Sequence, residues 1–578
     1  HARLSSCTSK ALHRGEGRIQ SMESKPATTR VSRRPPPPQP PAATRSAVWL
    51  VVGLLLALCF FSLPLFLALS PNLSDVWHLG VSVTSRHENA TAQPESSAAS
   101  RDRLLGGLLS PDISEGACLS RYASSLHRRR ASPHSPSPYL ASRLRKYEAL
   151  HRKCGPGTLS YNKSLMQLPS PHSMGLVECR YLVWAPTSGH IGDRVLSIAS
   201  AFLYALLTRR VLLLQLADDM AGLFCEPFPG ATWELPAGGF LADRIKGLRR
   251  GSDRSYGNFI RPANKDKSDG EPTAGLGLRA ESLPPYAYVH LEHDYRQAEQ
   301  LFFCDDDQAV LGNVNWVILR SNLYFAPGLF LVPRFEEELR WMFPASDTAF
   351  HHVGRYLFHP SNEVWQLITS YYTSYMGSSF QEKIGLQITT FAWNPVPFEE
   401  YFKQVSACTT SQEKILPAVD TTPGVLHEAA ASKAVLVSSE HPEYAEKLRS
   451  TYYEHATVTG ETVSVLQPVG GGAGNLSRNQ KAVVEMFLQS YCDVSVVSGW
   501  STVGYVGHGL AGLKPWLLLA PRNQTAADPP CVQATSMEPC FHAPPSYDCR
   551  AKKKGDLGAV LRHVRHCEDV GDGLKLFD

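Results

Sequence analysis

The sequence predicts an α/β protein of two Rossmann-like lobes with a ligand cleft between them, preceded by one transmembrane helix. Three observations lead there. Residues 47–69 form an apolar run of 23 residues without a charge. Residues 181–216 read as strand, glycine-bearing turn, helix, strand. Residues 494–519 repeat that pattern with a small polar turn. The 578 residues, 43% hydrophobic and 19% charged, exclude a disordered chain and suffice for two packed domains.

Charge orders the N-terminal part. Residues 1–46 carry nine Lys/Arg against two acids, or +7, so the rest of a +4 chain sums to −3. The body is not basic, which argues against a nucleic-acid partner. About 20 apolar residues span a bilayer, and a signal-peptide core is usually about 7–15 residues. Residues 47–69 therefore read as an uncleaved anchor. The arginines before it place the basic, Pro-rich tail in the cytosol and the chain after Ser70 on the far side. Residues 1–21, ahead of Met22, read as a translated leader. Residues 70–103 are polar and read as a stem, followed by lobes at 104–380 and 381–578.

The far side reads as an oxidising lumen. Sequons start at Asn72, Asn89, Asn162, Asn475 and Asn523. Past Cys59 eleven cysteines remain, four of them in the last 48 residues, at spacings that fit no zinc pattern. Disulfides are expected, with an odd thiol left over or paired between molecules.

Within the first lobe, Leu140, Leu144, Tyr147 and Leu150 mark a helix over 140–151. Residues 181–184 are an apolar strand. The turn at 186–193 holds Gly189 and Gly192, and a helix follows, with Val195, Ile198, Ala199, Phe202, Leu203 and Leu206 on its apolar face. Residues 211–216 are the next strand. Such a turn can present backbone N–H groups and a helix N-terminus to an anion, with Arg194 adding a fixed charge. In the second lobe, strands are expected at 384–388, 434–438, 494–497 and 514–519, and a helix from Val503. Ser501 and Thr502 supply hydroxyls and capping capacity at that helix's N-terminus, with Tyr505 available to stack on a base. A nucleotide site on the second of two such halves is a GT-B type arrangement.

Other motifs carry less. The Asp-Asp-Asp run at 305–307 contains a D-x-D, but reads as a solvated loop rather than a metal site. His351 and His352 read as structural. No G-x-S-x-G or HExxH occurs, so a hydrolase would lack its nucleophile or zinc motif.

The chain resembles plant α-1,2-fucosyltransferases of the xyloglucan fucosyltransferase type. Matching stretches lie at 104–112, 115–122, 138–148, 194–208, 224–228, 351–360, 500–505, 512–516, 536–542 and 564–569, in collinear order. The resemblance implies a type II Golgi membrane protein. It implies transfer of L-fucose from GDP-fucose to the 2-hydroxyl of a galactosyl residue, inverting and without a metal or cofactor. Galactosylated xyloglucan and arabinogalactan glycans are both compatible acceptors, and oligomers with itself or other glycosyltransferases are compatible partners. Donor binding is implied for Gln387, Ser501, Thr502, Tyr505 and Asp569, with Arg194 and position 322 as candidate catalytic residues.

Three positions depart from the family pattern. Thr389 follows Gln387-Ile388 where the pattern has an arginine, which would meet the diphosphate. A guanidinium there is a permanently charged, bidentate partner that threonine cannot replace. Arg194 and Arg355 are the arginines to consider in its stead. Asn322, in Ser-Asn-Leu-Tyr at 321–324, stands where the pattern T-D-N-Y has an aspartate. The turn Gly-His-Ile-Gly-Asp-Arg at 189–194 replaces a shorter G-L-G-N-R. Ser255 stands for an expected cysteine, and Cys492 is an unexpected one. These changes raise an alternative: a weakened or inactive paralogue that binds nucleotide sugar or glycan, or partners active transferases.

Overall fold

The strands β1 (Tyr181–Ala185), β2 (Val211–Leu214), β3 (Tyr286–Leu291) and β4 (Trp316–Ser321) are buried almost throughout. That is the condition of a parallel sheet covered on both faces. Tyr181 and Val183 enter one apolar layer with Leu241 and Ile245, while Leu182 and Trp184 enter the other with Phe202 and Leu206. All pairings are parallel, in the order β2-β1-β4-β3. The computed structural model describes residues 103–578 apart from 174, 176, 260–282, 378, 421–430, 469–475 and 561. The expected anchor, the cytosolic tail, nearly all of the stem and Asn72, Asn89 and Asn475 lie outside the described residues.

The expected helix over 140–151 is α1 (Pro138–Cys154), whose Ser137 hydroxyl accepts the Leu140 N–H at 3.0 Å. Helix α2 (Ile191–Thr208) joins β1 to β2. It is long and apolar enough to cross a membrane, yet it is a buried core helix.

The second sheet contains β5 (Glu382–Ile388), β6 (Ser432–Ser439), β7 (Thr462–Leu466), β8 (Val494–Ser498), β9 (Trp516–Leu518) and β10 (Cys531–Gln533). Its order is β10-β9-β8-β5-β6-β7, parallel except for β10. Numbered from β5, this is the 3-2-1-4-5-6 order of a doubly wound nucleotide-binding sheet. Ile384, Leu386, Val435 and Val437 face one apolar layer. Leu436, on the opposite face, joins the core that also covers the first sheet.

The helices α3 (Ala349–Leu357), α4 (Arg478–Gln489) and α5 (Thr502–Ala511) fill the space between the sheets. Helix α5 packs on α2, α3 and α4. Its three glycines each face a different neighbour. A Cβ at Gly504 would lie 3.0 Å from Val497, one at Gly507 3.2 Å from Gln489, and one at Gly509 2.4 Å from the Phe350 ring. The segment after β10 crosses back to the first lobe, where Ser346 Oγ donates to the Phe577 carbonyl at 2.7 Å.

Ten cysteines pair as Cys118–Cys225, Cys154–Cys179, Cys304–Cys549, Cys408–Cys531 and Cys540–Cys567. The odd thiol is Cys492, which is buried, and Ser255 is a buried hydroxyl. Asn162 and Asn523 are both exposed.

Replacing Gly509 tests the central packing. Alanine gains helix propensity but collides with Phe350, whose ring is itself buried. Overpacking of this kind costs about 1–3 kcal/mol. Gly509→Ala should lower the urea midpoint accordingly, while Gly571→Ala, with nothing within 4 Å of its Cβ, should leave it unchanged.

Candidate functional site

In an open α/β sheet, ligands bind beyond the carboxyl ends of the strands where the strand order reverses. Here both sheets have such a point. In the first it lies between β1 and β4, which lead into the glycine turn and into Asn322. In the second it lies between β5 and β8, which lead into Thr389 and into residues 499–502.

The two points touch. A Cβ at Gly192 would fall 2.6 Å from Thr502 Oγ1 and 2.9 Å from Val503 N, so only glycine lets the turn approach the N-terminus of α5 this closely. Asp193 seals the contact. Its carboxylate accepts the His190 N–H at 2.9 Å and a hydrogen bond from Thr502, and burial raises its pKa.

On the second-lobe side, hydroxyl groups gather. The Thr389 N–H donates to Ser498 Oγ at 2.9 Å, and Gln387 Nε2 donates to Thr389 Oγ1 at 2.5 Å. The hydroxyls of Thr389 and Ser501 lie 3.2 Å apart, and Ser501 caps α5 by accepting the Gly504 N–H. Between them Trp500 holds φ at 67°, a conformation rare outside glycine. Asp569 stabilises it by accepting the Trp500 N–H at 3.0 Å. The Tyr505 hydroxyl donates to the same carboxylate oxygen and lies 3.2 Å from His542 Nε2. Burial raises the Asp569 carboxyl and pulls His542 down to about 3, so that ring is neutral. A pocket next to Thr389 is lined by Thr390, Phe391, Trp393, Tyr401 and Trp500. Trp393 is 62% exposed and packs on both Phe391 and Trp500.

On the first-lobe side, His293 follows β3 and meets Asn322, which follows β4. Asn322 Oδ1 lies 3.2 Å from the His293 backbone N and 3.1 Å from its Nδ1. The His293 and His542 rings are 6.0 Å apart, so the two lobes meet again here. Two residues on, Tyr324 donates to Glu538 Oε2 at 2.5 Å, and Glu538 Oε1 accepts the Phe350 N–H at 2.6 Å. That buried carboxyl ties the end of β4 to the start of α3.

Several expectations are corrected by these contacts. Arg194 is not a free charge for an anion. It is 9% exposed and pairs with both oxygens of Asp219 at 2.7 and 2.9 Å, while its Nε donates to the Gly189 carbonyl. Arg355 does not face the site either: it is buried in α3 and donates to His351. Gly189 and Gly192 do not form an open anion cradle, because the second lobe and Asp193 occupy it. Tyr505 cannot stack on a base. It is 2% exposed, and Asp569 engages its hydroxyl. The D-x-D run opens a short helix, in which Asp305 pairs with Arg334 and Asp307 bonds the Tyr256 hydroxyl. Gln387, Thr389, Ser501, Thr502 and Asp569 do converge on one switch point, and Asn322 faces it from the other lobe. The sequence reading passed over His293, His542, Trp393 and Trp500. A signal for His293 exists in Leu-Glu-His-Asp-Tyr at 291–295, a polar run directly after a buried strand.

Comparison with known proteins gives a concordant result. A family model described as xyloglucan fucosyltransferase matches residues 72–550. The chain is 48% identical over 480 residues to a galactoside 2-alpha-L-fucosyltransferase of Arabidopsis thaliana, covering 82% of this chain and 83% of that one. It is 47% identical over 482 residues to the protein of the same name from Pisum sativum, covering 82% of each. A solved structure of an arginine-to-lysine variant of Arabidopsis thaliana FUT1 in complex with GDP matches with a TM-score of 0.74 at 49% identity, over 82% of this chain and 100% of that one.

Glu538 makes the junction sensitive to pH. Burial pushes its carboxyl up to about 8 from an ordinary 4.5, so the folded protein holds this proton more tightly than the unfolded chain. Its stabilising effect is complete below about 4.5 and is lost as pH rises through about 8. The unfolding free energy should fall over that window, by at most about 1.4 kcal/mol per pH unit from this group, and the thermal midpoint should fall with it. Glu538→Gln should flatten that part of the profile.

Proposed function

Because this chain belongs to the xyloglucan fucosyltransferase family, we propose that it transfers L-fucose from GDP-fucose to the 2-hydroxyl of a galactosyl residue. The transfer inverts the anomeric centre and uses no metal. The acceptor is galactosylated xyloglucan, with arabinogalactan glycans as the other candidate. The protein acts as a single-pass type II protein of the Golgi membrane with its catalytic lobes in the lumen.

What supports this reading is the contact between the two switch points at Gly192 and Thr502. It brings acceptor-side and donor-side loops to one cleft. In this reading the diphosphate meets the Thr389 and Ser501 hydroxyls near the N-terminus of α5. The exposed face of Trp393 offers a platform for the base. Asp569 acts from behind, by holding the left-handed Trp500 and therefore the position of Ser501.

One observation favours the alternative, a weakened paralogue that binds glycan or nucleotide sugar or joins other glycosyltransferases in an oligomer. Among the described residues lining the pocket by Thr389 there is no Arg or Lys. Arg194 and Arg355 are committed elsewhere. A single preorganised donor to developing charge is worth about a hundredfold or more in rate.

The test is a GDP-fucose transfer assay on the full chain expressed in a secretory host, with galactosylated oligosaccharides as acceptors. The expected result is a fucosylated product, with turnover about 10- to 100-fold faster in Thr389→Arg. Product formed only by the Thr389→Arg, Asn322→Asp double variant would establish the weakened paralogue. No product from either protein would overturn the transferase reading.

A further inference from the structure

Two N–H groups of His293 converge on one oxygen. The backbone N lies 3.2 Å and Nδ1 3.1 Å from Asn322 Oδ1. The backbone donor decides which end of the amide faces the histidine, because an N–H cannot hydrogen-bond to an NH2 group. With a carbonyl oxygen in that place, Nδ1 must carry the ring proton. Nε2 then keeps its lone pair, and it has no partner among the described residues. The ring is exposed, stands 6.0 Å from His542 across the lobe boundary, and lies within electrostatic range of Asp193. This is the arrangement of a general base: a basic nitrogen open to the cleft, with its other nitrogen held by an acceptor that fixes the tautomer.

Three other titratable groups of the cleft are less suited. Asp193 is used by the His190 N–H and by Thr502. Asp569 is used by Trp500 and Tyr505. His542 bonds Tyr505 and is held neutral by burial. His293 alone among these four combines exposure with an unengaged lone pair.

We propose that His293 is the general base for the acceptor hydroxyl and that Asn322 is its positioning residue. The proposal rests on the fucosyl-transfer reading. As the acceptor oxygen bonds to C1 of fucose, the bond from C1 to the diphosphate oxygen breaks and its electron pair leaves with GDP. The hydroxyl proton passes to His293 Nε2, giving an imidazolium that later releases it to water. Asn322 keeps the tautomer-fixing hydrogen bond but brings no charge. An aspartate at 322 would make the same bond and also stabilise the imidazolium.

The experiment measures transfer to a galactoside acceptor by the full chain. His293→Ala should lower kcat at least about a hundredfold while GDP affinity stays unchanged, and added imidazole should restore part of the loss. Asn322→Asp should raise kcat and move the acid limb of the pH profile upward, because the new carboxylate favours the charged imidazolium. Asp193 and His190 from the glycine turn, His542 from the C-terminal segment, and Glu292 and Asp294 beside His293 set the background of that profile and are the same in both proteins. Side-chain 15N NMR of the unmodified chain should find His293 protonated at Nδ1, a readout independent of turnover. An Nε2–H tautomer, or His293→Ala with undiminished kcat in an active chain, would overturn the base assignment and leave the transfer reading standing. No transfer by the unmodified chain or by Asn322→Asp, with GDP still bound, would overturn both.

Discussion

The architecture depends on how closely helix α5 is approached from every side. Gly504 meets the second sheet, Gly507 meets α4 and Gly509 meets α3, while Gly192 of the opposite lobe rests on its first turn. A methyl group at Gly509 or Gly192 would sit well inside van der Waals distance of its neighbour. Interiors are packed at crystal-like density, so such contacts cannot be relaxed by local drift. Because the first turn of α5 is also where the two switch points meet, the packing that joins the lobes also positions the cleft. The N-terminus of α5 carries N–H groups without a partner inside the helix, and the Ser501 hydroxyl satisfies that of Gly504.

The cleft built on this contact is rich in hydrogen-bonding groups and poor in positive charge. Thr389, Ser501 and Ser498 supply hydroxyls, Trp393 and Trp500 supply aromatic surface, and Asp193 and Asp569 are carboxylates turned to structural use. The arginine of the glycine turn, Arg194, is neutralised by Asp219. That pair pins the start of α2 and leaves no net charge for a phosphate. The scarcity of cations seen in the charge of the chain beyond its N-terminal tail thus has a local counterpart at Thr389.

The first lobe contributes orientation more than charge. Asn322 closes on His293, and Tyr324 two residues later closes on Glu538, which in turn caps α3. The loop after β4 is held at both ends by residues from distant parts of the chain. A displacement of the C-terminal segment would reach Asn322 through Tyr324, so the segment after β10 is part of the site's framework.

The sequence by itself determined the elements with a clear hydrophobic period, because that period is local, but it passed over β3, β4, β7 and β10. Residues 140–151, 181–184 and 494–497 fall inside observed elements, and the caps Ser137 and Ser501 start α1 and α5 two residues and one residue earlier than the periodicity indicates. The strand-turn-helix pattern also marked Ser501 and Thr502, since it points to strand ends, whereas Thr389 and Asp569 were marked only by the resemblance to the family. Only the tertiary structure decided which groups are free. Arg194 and Asp219 are 25 positions apart, His293 and Asn322 are 29 apart, and Tyr505 and Asp569 are 64 apart. Each pair is created by strand order and by the return of the C-terminal segment, which leave no trace in local pattern. A side chain's charge and tautomer depend on its partner. The free arginine and stacking tyrosine read from the sequence therefore became a salt bridge and a buried hydrogen bond, and an unremarked histidine became the open base of the cleft.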